Sequence, residues 1–148
     1  ALCSLSKQSN LAGYRAGLVA GDPALLSSLL LARKHLGLIM PTPIQGAVAA
    51  TLAEDQHVQE QRGRYRARRE LIFPALRAAG FRIDHSEAGL YAWASRDEEC
   101  WRSVGWCSER GILVAPGSFY GQAGQHHIRV ALTATDAACE AAASRLRA

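Results

Sequence analysis

The chain has 148 residues, enough for one ordinary domain, and its 49% hydrophobic and 20% charged fractions exclude a disordered protein and allow a buried core. A net charge of +4 and a pI of about 9.1 are mildly basic, a weak footprint for nucleic-acid binding. The Leu-rich run from Leu25 to Leu38 is interrupted by Ser27, Ser28, Arg33 and Lys34. It falls short of the roughly 20 apolar residues that cross a bilayer, so no membrane segment is expected.

Ala1 to Cys3 reads as the end of a buried strand, residues 4–13 as a loop, and Arg15 to Ala20 as a second strand that Gly21 ends. Asp22 suits an N-cap and Pro23 a first helical residue. That helix is expected to run to about Leu36, with Gly37 as its stop. Apolar residues fill most of its circumference, which predicts burial. Pro41-Thr42-Pro43 breaks the chain, and a small-residue helix is predicted from about Ile44 to Ala53. A long polar helix follows from about Asp55 to Ala79, ended by Gly80 and kinked by Pro74, which removes a backbone donor.

After Gly80 the pattern changes. Phe81 to Asp84 and Leu90 to Trp93 alternate like strands. Glu98 to Arg110 reads as a helix capped by Gly111, Ile112 to Ala115 as a short strand, and His127 to Leu132 as another. Thr135 caps a final Ala-rich helix ending near Leu146. The order β-β-α-β-β-α predicts an α+β subdomain with a short, largely antiparallel sheet. The expected organisation is an incomplete larger domain over residues 1–54, a bridging helix over 55–80 and a small C-terminal domain over 81–148. The chain begins with Ala1 and carries its strongest motif almost at once, so it is expected to be part of a longer protein.

That motif is Ser4-Leu-Ser-Lys7-Gln-Ser-Asn10-Leu-Ala-Gly13-Tyr-Arg15-Ala-Gly17. Lys7, one of two lysines in the chain, sits between small hydroxyl residues beyond an apolar strand. A lysine so placed can form a Schiff base with an aldehyde when burial or nearby positive charge keeps part of it neutral. Arg15 begins the next strand beyond a tight turn, and a guanidinium is the natural bidentate partner of a phosphate. Ser4 and Ser6 offer hydroxyl donors to the same anion. A Walker-type phosphate loop is excluded, because GxxxxGK[ST] is absent. Further on, Arg129 opposes Ile128, Val130 and Leu132 on a strand, so it faces away from the core and needs an anionic partner.

Residues 4–17 resemble the attachment signature of the class I/II aminotransferases of fold type I, enzymes dependent on pyridoxal 5′-phosphate (PLP). The segment Gly111 to Gly117 followed by Phe119-Tyr120-Gly121, and the strand His127 to Leu132, are similar to further segments of that family. The resemblance implies an α/β fold: the C-terminal part of the PLP-binding large domain plus the small domain. It also implies that Lys7 bonds to PLP and shuttles the proton between substrate Cα and cofactor C4′. Ser4 and Arg15 would bind the cofactor phosphate, with Ser6 assisting, and Arg129 the substrate α-carboxylate. Small amino and keto acids would be the substrates, in a cytoplasmic homodimer. Stretches 9–17, 20–25, 86–93 and 130–135 resemble most the actinobacterial succinyldiaminopimelate aminotransferases of lysine biosynthesis. Glu87, Gly89 and Tyr91 look like the substrate-facing small-domain segment. The remaining fold, with the groups that tune the cofactor ring, is expected upstream, so residues 1–148 alone are expected to be inactive. Other fold type I enzymes, general aminotransferases or C–S lyases, share the same three basic residues, and a non-catalytic basic binding module is the alternative of a different class.

Three other constellations carry less. Arg62, Arg64, Arg66, Arg68 and Arg69 crowd one stretch of helix, with Glu60 spaced to pair with Arg64; a solvated, ion-paired face explains them better than a nucleic-acid patch. His126 and His127 are adjacent and point to opposite faces of a strand, against a metal site. Cys3, Cys100, Cys107 and Cys139 show no CxxC spacing and read as reduced, packed thiols. Cys100 and Cys107 share a helix face. Trp93, Trp101 and Trp106 read as core or interface residues.

Overall fold

A computed structural model describes residues 1–148. They form two compact units, Ala1–Gln61 and Arg62–Ala148, and the division falls inside one long helix.

In the first unit, strands β1 (Leu2–Ser4) and β2 (Gly17–Val19) pair antiparallel, with Leu2 opposite Val19 and Ser4 opposite Gly17. Both strands are exposed, Leu2 at 84%, so the burial expected of this segment is not realised within the unit. A two-stranded ribbon has no second layer to cover it. Residues 4–13 are not a plain loop. Leu5–Gln8 form a one-turn helix (α1) and Ala12–Tyr14 a 3₁₀ turn. Helix α2 (Pro23–His35) starts as expected, with Asp22 Oδ1 accepting from the backbone of Ala24 (2.8 Å) and Leu25 (3.1 Å). It ends before Gly37. No residue of α2 is buried, so its apolar circumference meets solvent rather than the predicted core. Helix α3 (Thr42–Leu52) follows, with Pro43 in its first turn. Leu5, Ala16 and Val48 form a small buried cluster, flanked by Leu11, Met40 and Ile44.

Helix α4 (Gln56–Ala78) runs continuously through Pro74. In the second unit, β3 (Arg82–Asp84), β4 (Tyr91–Ser95), α5 (Cys100–Glu109), β5 (Ala115–Pro116), β6 (Ile128–Ala131) and α6 (Asp136–Arg147) follow in the predicted order. The sheet is wholly antiparallel, in the order β3-β4-β6-β5. One face carries Ala92, Ala94, Ile128 and Val130. They share a core with Ile72, Phe73 and Leu76 of α4, Cys107 of α5 and Cys139, Ala143 and Leu146 of α6. Ile128 and the following Leu132 are fully buried, each contributing about 1.5–3 kcal/mol of transfer free energy. Thr135 Oγ1 caps α6 through Ala138 N (3.3 Å).

Ile112–Val114 do not extend the strand expected there. Ile112 N donates to Cys107 O (2.9 Å) and Gly111 N to Ser108 O (2.8 Å), the paired bonds that close a helix through a left-handed glycine, here at φ +65°. Ile112 is thereby committed to the end of α5, and pairing begins only at Ala115. The Glu60–Arg64 pair is not formed either; Glu60 accepts from Gln56 Nε2 (2.9 Å). Of the arginine cluster, Arg68 pairs with Asp136 (2.6 Å) and donates to Leu132 O (2.9 Å). Cys100, Cys107 and Cys139 are buried free thiols, and burial pushes Cys107 up to about 11 and raises Cys139.

Candidate active site

The lysine turn is built by the end of the ribbon. Ser4 faces Gly17 across the ladder, and Leu5 N continues the pairing by donating to Ala16 O (3.2 Å). Residues 6–15, with Lys7 and Arg15 among them, therefore leave from and return to the same ribbon end. Leu5 is fully buried, and its carbonyl accepts from Ser9 N (3.1 Å) and Leu11 N (3.3 Å), which fixes the backbone beside Lys7. Gly17 is needed for the close approach: a Cβ there would stand 2.8 Å from Cys3 O. His57, half-buried on α4, lies 3.0 Å from Ser9 Oγ through Nε2.

Lys7 lies in the single turn of α1, with its side chain exposed and its amine unpartnered. The backbone anchoring expected from the sequence is present, while burial of the amine is not supplied by these residues. Ser4 Oγ accepts from Ser6 N (3.3 Å), which leaves its hydroxyl hydrogen available. Arg15 is not on a strand. It adopts left-handed geometry (φ 52°, ψ 41°) at the end of the 3₁₀ turn, and one guanidinium N–H donates to Ala12 O (3.1 Å). Its other donors are free. A free amine, a hydroxyl donor and a guanidinium without a carboxylate fit a ligand bearing an aldehyde and a phosphate.

Arg129 belongs to the second unit. It faces away from the core, as the alternation of β6 requires, and lines a cavity of about 410 Å³ with His85, Ser86, Tyr91, Trp93 and Tyr120. Its guanidinium carbon lies 4.3 Å from the centroid of Tyr91 and 4.9 Å from that of Tyr120. It joins none of the ion pairs, and its Nε is buried without a hydrogen-bond partner. A desolvated, unpaired Nε beside aromatic rings is chemistry suited to an anionic ligand. The loop over this cavity is tied down by Arg69, which donates to Ser86 O and to Gly89 O (2.8 Å). Glu87 is exposed, whereas Tyr91 supplies one of the rings against Arg129. At the far rim a Cβ on Gly117 would overlap Gly124 O and stand 2.5 Å from His127 O, so the turn carrying Tyr120 needs glycine there.

Three residues beside Arg129 were not legible as a group in the sequence. Asp84, Trp93 and Arg129 are partners in one row across β3, β4 and β6. His127 stacks on Trp93 (centroids 5.0 Å, interplanar angle 9°), and its Nε2 donates to Asp84 Oδ2 (3.0 Å). Arg82 Nε donates to Asp84 Oδ1 (2.9 Å). Hydrogen bonds from Arg82 and then His127 hold the Asp84 carboxyl below its ordinary range, against burial. Cross-strand register is the signal that groups these residues, and spacing along the chain does not carry it. No cluster of three or more His, Cys, Asp or Glu side chains gathers in metal-binding geometry.

The model of the family described as aminotransferase class I and II matches residues 1–146. The chain belongs to the class I and II aminotransferases. This family depends on PLP, and the fold is the C-terminal part of fold type I. The chain is 56% identical over 146 residues to 4-dedimethylamino-4-oxo-anhydrotetracycline transaminase of Streptomyces rimosus, covering 99% of this chain and 41% of that protein. It is 55% identical over 146 residues to a probable aminotransferase of Mycobacterium tuberculosis, covering 99% of this chain and 35% of that protein. An aminotransferase structure from Neisseria meningitidis superposes with a TM-score of 0.88 at 34% identity, over 98% of this chain and 39% of that one. A probable N-succinyldiaminopimelate aminotransferase from Thermus thermophilus gives 0.79 at 28% identity, over 99% and 40%. The chain thus spans about two fifths or less of the length of these curated relatives.

Proposed function

We propose that these residues serve a PLP-dependent aminotransferase that moves an amino group between glutamate and a keto acid. The observation that carries this reading is Arg129: a guanidinium 4.3 and 4.9 Å from two aromatic ring centroids, with Nε buried and unpartnered and no ion pair to a carboxylate among these residues. Such a group holds an α-carboxylate by two parallel charge-assisted bonds. Lys7 would hold the cofactor's aldehyde carbon, and Ser4 and Arg15 its phosphate. The bound cofactor supplies an electron sink for negative charge at the substrate Cα. Once the substrate's amine takes its place on the aldehyde carbon, the released Lys7 amine would accept the proton from that Cα, a general-base role that its fixed backbone suits. The full-length protein is read as a homodimer.

For the acceptor, the reading is N-succinyl-2-amino-6-ketopimelate. Similarity of stretches 9–17 and 86–93 to succinyldiaminopimelate aminotransferases supports it, as does the likeness to the Thermus structure. A second reading is a bulky cyclic ketone. It is favoured by the aromatic lining of Tyr91, Trp93 and Tyr120 and by 56% identity to the 4-dedimethylamino-4-oxo-anhydrotetracycline transaminase. Arg129 would hold the donor's carboxylate in both. The test is glutamate-dependent amination by the full-length enzyme of the succinylated keto acid and of a cyclic ketone in parallel. Formation of 2-oxoglutarate with one acceptor decides between them, and no turnover of glutamate with any keto acid refutes the aminotransferase reading.

A further inference from the structure

Among these residues Arg129 has no carboxylate partner, and its guanidinium rests instead against two aromatic rings. Tyr120 is one of them, half exposed on a short 3₁₀ turn. Its ring is placed by the edge contact with Trp93 (5.8 Å, 78°). Trp93 is covered on one face by His127, and His127 is tethered by Asp84. Asp84 is itself held by Arg82, whose NH1 also donates to Asp97 (2.8 Å). The contacts therefore run from the β3 backbone through Asp84, His127, Trp93 and Tyr120 to Arg129.

The chemistry of His127 is unusual for a packing residue. Its side chain is 16% exposed, and its Nδ1 is buried with no partner. A phenyl ring would cover Trp93 without that desolvation cost. What the imidazole adds is the Nε2–H bond to Asp84, which stops the ring turning on the tryptophan face.

We propose that Asp84 and His127 are positioning residues for the carboxylate site, acting on Arg129 through the His127–Trp93–Tyr120 stack. This inference rests on the reading of Arg129 as the carboxylate ligand. A displacement of the guanidinium by a fraction of an ångström spoils bidentate geometry, which is steeply dependent on alignment.

The test uses the full-length holoenzyme and two readouts. One is the affinity for glutarate, a dicarboxylate without an amino group, measured by calorimetry. The other is the division of any kinetic change between KM for glutamate and kcat. Asp84→Ala is expected to weaken glutarate and raise KM by about tenfold with kcat nearly unchanged. Asp84→Asn keeps an acceptor for Nε2–H and is expected to stay within about threefold of the parent. His127→Phe keeps the stack, loses the tether, and is expected to behave like Asp84→Ala; it also serves if that variant does not fold. Unchanged glutarate affinity in either folded variant overturns the inference. Arg129→Lys separates the two levels. If it leaves glutarate binding intact, the carboxylate role of Arg129 falls and the positioning role with it. If it weakens binding while the Asp84 and His127 variants do not, only the positioning role falls.

Discussion

Replacing Arg129 by lysine keeps the charge and removes the planar fork. The guanidinium lies 4.3 and 4.9 Å from two ring centroids, an arrangement a flat cation fills and an ammonium does not. A carboxylate held by two charge-assisted bonds would keep one. The loss of a hydrogen bond to a charged group is about 1.5–3 kcal/mol, so KM for glutamate is predicted to rise by roughly 10- to 150-fold. The α-carboxylate is held alike in ground and transition states, so kcat is predicted to change little. Steady-state kinetics of the full-length enzyme measure this, with 1,5-diaminopentane as an amine donor lacking the carboxylate. The slow reaction of that amine should be indifferent to the substitution. An unchanged KM for glutamate, or an equal loss with the amine, would refute the assignment of Arg129.

Two further predictions concern the second unit. Gly117→Ala drives a Cβ into Gly124 O and His127 O, both backbone atoms that cannot rotate away. It is expected to destabilise by about 2 kcal/mol or more, read as a lower denaturant midpoint at unchanged m-value; a midpoint equal to the parent's would contradict the packing. Asp84 has a depressed folded pKa, so its contribution to stability is present above the unfolded value of about 3.9 and is lost as pH falls through the folded value. The parent should therefore lose more stability than Asp84→Asn between about pH 5 and pH 3 in urea titrations, and parallel pH profiles would count against the Arg82–Asp84–His127 network.

Much of the local structure was legible because its cause is local. Asp22 before Pro23, Gly37 after α2 and Thr135 before α6 each mark a helix end through a bond within a few residues, and each stands where the sequence puts it. Alternation identified the core face of β6 and set Arg129 opposite it. The differences have two kinds of cause, packing that the element's own residues do not state and local turns that override strand-like composition. The apolar helix α2 is exposed within residues 1–148, which span about two fifths of the relatives' length, because burial depends on what packs against a helix and its own composition does not state that. Arg15 looked like the first residue of a strand, yet the 3₁₀ turn over Ala12–Tyr14 places it in left-handed geometry, two residues before pairing begins. Ile112 has a strand's chemistry but is used to close α5. The lysine motif was visible as a run of spaced residues. The Asp84–Trp93–Arg129 row was not, because only the registers of β3 on β4 and β4 on β6 bring it together.

The central claim is that Lys7 carries the cofactor, and covalent trapping tests it most directly. Full-length protein incubated with PLP is predicted to show a visible absorption band that borohydride abolishes, leaving a phosphopyridoxyl group on the peptide containing Lys7. Lys7→Ala is predicted to show neither the band nor the modified peptide. A persistent band in Lys7→Ala, or the reduced cofactor on Lys34 or any other lysine, would contradict the account.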